Sequence, residues 1–161
     1  MAFNFSAAEI IQAAIGIEKR GHAFYTVMAK QTSSAAARAV FKNLAATEKE
    51  HVAAFQGILA AVNKYEAPEP FADEYKLYAH ALVDTSVFTR DLTKNELASC
   101  SGSDVTALEL GIRAEKDSIL FYLNMKDSVP VEERKIVDQI ISEEKAHLQD
   151  LYDILKQVAV R

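Results

Sequence analysis

The sequence predicts an all-α protein, a four-helix bundle made of two antiparallel helical hairpins with one long crossover containing a short helix. Three observations predict it. Apolar residues recur at helical spacing along four long segments. Within each pair of segments the connection is only a few residues, whereas the stretch 66–102 separates the pairs. The polar motifs of the first pair return in the second, in the same order.

The elements follow in turn. Ser6-Ala7-Ala8-Glu9 reads as a capping box, in which serine and glutamate satisfy each other's free backbone N–H groups. From there to about residue 31, Ile11, Ala14, Ile15, Tyr25 and Met28 keep helical spacing. Thr32-Ser33-Ser34 breaks the run and can cap a second helix over about 34–65, which Pro68 and Pro70 end. A third helix follows Ser103-Asp104 over about 103–126, and Pro130 suits the first turn of a fourth, about 130–159. In the crossover, Phe71, Tyr75, Tyr78 and Leu82 form the stripe that predicts the short extra helix.

Composition bounds the function. The chain of 161 residues is expected to form one domain, 1–161, and its 50% hydrophobic and 25% charged content is that of a globular protein. A net charge of −5 with no basic cluster argues against nucleic acid and against an anionic membrane surface. Cys100 is the single cysteine, which excludes an internal disulfide framework and any Cys-x-x-Cys centre and fits a reducing compartment. The apolar N-terminal stretch lacks a basic start and is interrupted by Glu9, so no signal peptide is expected. No apolar run approaches the roughly 20 residues of a membrane span. The expected location is the cytoplasm.

An internal repeat marks the polar residues that matter. Glu18-Lys19 with Phe24-Tyr25 returns as Glu115-Lys116 with Phe121-Tyr122. Glu48-Lys49-Glu50-His51 returns as Glu144-Lys145-Ala146-His147. Each motif glutamate sits at the centre of an apolar stripe, where a leucine would be expected. Glu48, for example, lies among Phe41, Leu44, Ala45, Val52, Phe55 and Leu59. His51 and His147, three residues further on, share that face. Four carboxylates buried together would each cost several kcal/mol and would repel one another, so a positive charge is needed among them.

One glutamate from each of two helices, plus Glu-x-x-His from each of the other two, is the ligand set of a di-iron or di-manganese carboxylate centre. Carboxylate oxygens bridge two metals and stabilise higher oxidation states, while imidazole takes a terminal position. The expected ligands are Glu18 and Glu115 as terminal carboxylates, Glu48 and Glu144 as bridges, and His51 and His147 as one terminal ligand per metal. The expected cofactor is two iron ions per chain, replaceable by manganese or zinc.

At these residues the chain resembles the rubrerythrin-like branch of the ferritin-like superfamily, over the four helices and most of its length. The resemblance implies a ferritin-like bundle that reduces hydrogen peroxide or oxidises ferrous iron, a part in the response to oxidative stress, and an oligomer. It also implies that Tyr25 and Tyr122 hydrogen-bond the ligating carboxylates, although both could be ordinary core aromatics. Two departures stand out. A single Cys100 cannot build the four-cysteine rubredoxin module of full-length rubrerythrins, so electrons must come from an external donor such as a rubredoxin. Where rubrerythrins place an extra glutamate three residues after the third-helix ligand, this chain has Ser118.

Other polar residues have plainer readings. His22 is expected at the rim of the site, His80 on the surface, and Glu50 and Glu143 in solvent. Gly21 and Gly111 fit either close helix packing or an opening for oxygen or peroxide, and Cys100 reads as an inert loop thiol. The first functional reading is thus a di-iron oxidoreductase reducing hydrogen peroxide. The alternatives are an iron-handling ferroxidase and a structural bundle held together by metal. A homodimer is expected, and the length of the crossover permits exchange of hairpins between chains.

Overall fold

The computed structural model describes residues 6–64, 73–89, 92 and 94–160. Among them are six α-helices and no strand: α1 (Ala7–Gln31), α2 (Ala35–Val62), α3 (Asp73–Thr85), α4 (Lys94–Ser101), α5 (Asp104–Met125) and α6 (Arg134–Ala159). The capping box forms as its sequence implies. Ser6 Oγ accepts from the Glu9 N–H at 3.2 Å, and the Glu9 carboxylate accepts from the Ser6 N–H at 2.7 Å. At the far end Thr32 turns extended, and Ser34 Oγ accepts from the Ala37 N–H at 3.2 Å to start α2. Arg38 closes this tight turn by donating from Nη2 to the Thr32 carbonyl at 2.8 Å. Three residues therefore suffice to reverse the chain.

α1 lies along α2 and α5 along α6, and the two hairpins meet through α1 with α5 and α2 with α6. Tyr25, late in α1, reaches Glu115 in the middle of α5, while Tyr122, late in α5, reaches Glu18. These contacts require α1 and α5 to run in opposite directions. The α1–α2 turn then lies at the start of α5, where Ser33 Oγ donates to Asp104 Oδ2 at 3.2 Å. α5 consequently begins at the opposite end of the bundle from where α2 stops. The chain must travel the length of α2, 28 residues, or about 42 Å at 1.5 Å per residue. That distance is the reason the crossing is long.

The crossing departs from expectation. Among its described residues are two helices, α3 and α4, with a 3₁₀ turn at Val87–Thr89 between them, where the sequence pattern suggested one short helix. α4 has only eight residues, too few for a periodic stripe to show. In α3, Tyr78 is 48% exposed and Ala79 is buried, so the inward face is set by Ala79, Leu82 and Val83. The Phe71 end of the expected stripe and the Tyr75 side chain lie outside the described residues, as do Pro68 and Pro70. His80 is half-buried rather than on the surface. Cys100 is buried within α4 rather than in a loop, and burial, then Glu96, push its thiol pKa up against the opposing effect of Arg113. Pro130 has extended ψ and opens a 3₁₀ turn, Val131–Glu133, so α6 begins at Arg134 rather than at residue 130.

Candidate metal centre

The repeat brings the six motif residues to one level of the bundle. Glu18 on α1, Glu48 and His51 on α2, Glu115 on α5, and Glu144 and His147 on α6 are each at most 4% exposed. They fall into two groups, Glu18–Glu48–His51–Glu144 and Glu48–Glu115–Glu144–His147, each with ligand atoms within 4.8 Å of one another. Glu48 and Glu144 belong to both. Glu18 with His51, and Glu115 with His147, belong to one each.

Both imidazoles turn Nδ1 toward the carboxylates. His51 Nδ1 lies 2.8 Å from Glu144 Oε1, 3.4 Å from Glu18 Oε2 and 3.9 Å from Glu48 Oε2. His147 Nδ1 lies 3.3 Å from Glu144 Oε2, 3.6 Å from Glu48 Oε1 and 3.8 Å from Glu115 Oε2. The two rings stack with centroids 5.8 Å apart. Glu18 Oε2, His51 Nδ1 and Glu144 Oε1 are buried without a hydrogen-bond partner. His51 Nδ1 and Glu144 Oε1 are close enough for an ion pair but are not aligned as hydrogen-bond donor and acceptor. Buried polar atoms left so are costly unless an ion satisfies them. Two imidazole nitrogens and four carboxylates form a donor set suited to iron, manganese or zinc. On these grounds the residues fit a two-metal carboxylate centre.

The electrostatics agree. Burial, and then the neighbouring carboxylates, push Glu48 and Glu144 well above the usual carboxylate pKa. Burial pushes Glu115 the same way, but neighbouring Glu144, His147 and Tyr25 outweigh it and hold its pKa low. For His51, burial lowers the pKa, while Glu18 and Glu143 raise it by more. A cluster that must hold protons when metal-free can exchange them for cations.

Other side chains brace the clustered carboxylates. Tyr25 donates to Glu115 Oε1 and Tyr122 to Glu18 Oε1, each from the opposite hairpin. Burial, then the carboxylates (Glu115 for Tyr25, Glu18 for Tyr122), raise both phenol pKa values well above 10, so both stay protonated donors. Gly111 makes room for Tyr25: a Cβ there would stand 3.3 Å from the Tyr25 hydroxyl. His22 stands outside both groups, with Nδ1 2.6 Å from the Ala45 carbonyl as donor. Glu50 is exposed. Glu143 corrects the expectation of a solvated side chain, because its Oε2 lies 2.7 Å from His51 Nε2. The signal in the sequence was the break in the repeat, since Glu143 corresponds to Thr47 in the first hairpin.

The sequence matches the Rubrerythrin family over residues 9–155. The chain belongs to that family. A crystal structure of a protein from Thermotoga maritima, provisionally described as a ferritin-like diiron-carboxylate protein, is similar to it at a TM-score of 0.63 and 26% identity. That likeness covers 97% of this chain and 98% of the other. No curated protein matches the sequence. Like its family, the chain is a ferritin-like helical bundle, and no helix among the described residues is long and apolar enough to cross a membrane.

Proposed function

We propose that this member of the rubrerythrin family is a di-iron oxidoreductase that reduces hydrogen peroxide to water with electrons from an external donor. The observation that carries the reading is the sharing of Glu48 and Glu144 between two histidine-containing groups. Glu18, Glu48, His51, Glu115, Glu144 and His147 would hold the metals, with Glu48 and Glu144 between them. Bound iron supplies the electrons and Lewis acidity for breaking the O–O bond.

The chain's own residues do the rest. Tyr25 and Tyr122 fix Glu115 and Glu18 and keep their phenolic protons beside the site. Phe41 packs on Tyr25, and Phe55 and Phe121 on Tyr122, so the two phenols are held among buried rings. Each turnover takes hydrogen peroxide, two electrons and two protons to two waters. Cys100, alone, cannot carry a four-cysteine electron-transfer centre. We take the donor to be an external one-electron carrier, such as a rubredoxin. A second reading, oxidation of ferrous iron, is favoured by Ser118, a small buried hydroxyl where a further carboxylate would assist ligand exchange.

Stopped-flow mixing of the diferrous protein with peroxide, and separately with oxygen, tests the two. Fast oxidation by peroxide with slow oxidation by oxygen supports the peroxidase, and the reverse order supports iron oxidation. Oxidation by neither leaves a structural metal site. Sustained turnover on NADH alone, without a partner, would overturn the need for an external donor.

A further inference from the structure

Between α1 and the crossing lies a cavity of about 160 Å³. Ala23, Phe24 and Val27 of α1 line it, with Phe88, Leu92 and Leu97 from the crossing. Arg20, the charged member of its lining, reaches back along α1, with Nη1 3.0 Å from where a Cβ on Gly16 would stand. The lining is otherwise hydrocarbon.

Phe88 belongs to both the cavity and the site. Its ring centroid is 5.3 Å from that of Phe24 and 6.1 Å from that of Tyr25. Its Cδ2 lies 3.5 Å from where a Cβ on Gly21 would stand, and so do Cδ and Oε2 of Glu48. The side chain absent at position 21 thus marks the meeting point of the cavity wall and a carboxylate shared by both groups. The turn carrying Phe88 is anchored, because the Val87 N–H donates to Asp117 Oδ2 on α5 at 3.0 Å.

We infer that this cavity receives the hydrocarbon part of an organic hydroperoxide whose peroxide end passes Gly21 to the Glu48 side of the centre. The inference rests on the peroxide-reducing reading above and names a substrate class for it. Hydrogen peroxide is strongly hydrated and gains little from an apolar wall. An alkyl or aryl group gains free energy in proportion to the apolar area it removes from water. An apolar cavity of about 150 Å³ is known to accept benzene, so the space suits a tail of tert-butyl or phenyl size. In the reaction the O–O bond breaks. One oxygen leaves as the alcohol and the other as water, with two protons taken up and two electrons drawn from the external one-electron carrier.

The test uses the 161-residue chain with two variants that fill the cavity, Val27→Phe and, from the exposed rim, Ala23→Phe. Benzene titrated into zinc-loaded protein, which cannot turn over, is followed by NMR of the Val27, Leu92 and Leu97 methyls. Saturable shifts in wild type, lost in whichever variants fold, are expected. With iron and a reduced carrier, the ratio of kcat/KM for tert-butyl hydroperoxide to that for hydrogen peroxide should fall at least tenfold in the variants. No benzene shift in wild type, or a ratio unmoved by filling the cavity, overturns the inference. Benzene binding with neither peroxide reduced instead overturns the peroxide reading, and the substrate role falls with it.

Discussion

Glu143, 38% exposed on α6, meets His51 of α2 at Nε2 over 2.7 Å and leaves Nδ1 facing the carboxylates. Gln139 donates to the other Glu143 oxygen at 2.9 Å, so the orienting carboxylate is itself oriented. In the other half, the repeat puts Thr47 in place of Glu143, and its hydroxyl is turned to the Asn43 carbonyl of its own helix at 3.2 Å. The two halves of the centre are therefore unlike in how their imidazoles are held.

From this asymmetry follows the first prediction. Partners that fix the far nitrogen of a ligating histidine are worth roughly 10–100-fold in metal affinity. Glu143→Ala should weaken the tighter of the two binding steps or split them apart, while Thr47→Ala should change little. Calorimetric titration with ferrous iron under anaerobic conditions reads this directly. Equal effects of the two variants would contradict the orienting role.

Stoichiometry gives the second. Two groups sharing Glu48 and Glu144 could each hold a metal, which gives an expected content of two per chain. Anaerobic ferrous titration should saturate near two equivalents in wild type and near one in His147→Ala. Saturation at one equivalent in both proteins would sink the paired assignment.

A third concerns the tyrosines. Tyr25→Phe keeps the ring but leaves Glu115 Oε1 buried without its donor, and Tyr122→Phe does the same to Glu18 Oε1. An orphaned buried acceptor costs about 1–3 kcal/mol. Each variant should lose that much stability in urea unfolding, and because Glu18 and Glu115 both face Glu48 and Glu144 the two losses should not simply add. A loss well below this range would mean that the hydroxyls are spectators.

The fourth follows from the titrating groups of the metal-free protein. Glu48 and Glu144 are raised, by burial first and by neighbouring carboxylates second. Folding then takes up protons, so their contribution is complete below the ordinary glutamate pKa of about 4.3 and is lost as pH rises through the raised folded values. His51, raised by Glu18 and Glu143 despite burial, has the same sign and loses its contribution above its unfolded pKa of about 6.5. Glu115 and Glu143 are lowered, so their contributions are already complete above about pH 5 and vanish only on acidification. Between about pH 5 and 8 only the falling contributions change. Metal-free protein in chelator should thus lose stability across that range, and metal binding should release protons. Thermal unfolding that rises with pH would refute this.

A fifth removes the carboxylates themselves. Changing Glu48 and Glu144 to leucine fills the apolar stripe and removes two like charges, as when buried charges give way to hydrocarbon with gains of about 1–4 kcal/mol. The double variant should be more stable than metal-free wild type at neutral pH, and should lose metal binding and peroxide reactivity together. Earlier unfolding in chelator would deprive the bridging assignment of its physical basis.

By itself the sequence determined the four long helices, their pairing and the six polar residues of the centre. Each depends on local spacing: Ser6 with Glu9, Ser34 with Ala37, and Glu48 or Glu144 with a histidine three residues on. A charge in the middle of an apolar stripe is visible without knowing what faces it. Only the tertiary structure decided which residues from other elements come to meet those stripes. Glu143 reads as a surface acid until α6 is laid against α2 and its carboxylate reaches His51. Phe88 sits in a short turn with no periodicity to betray it, yet it both lines the cavity and lies against Gly21. α4 was too short to leave a pattern, and Tyr78 of the expected inward stripe faces out because the smaller Ala79 takes the buried position. Contacts between distant segments depend on how helices are placed against one another, and periodicity along one helix carries no record of its neighbour's rotation.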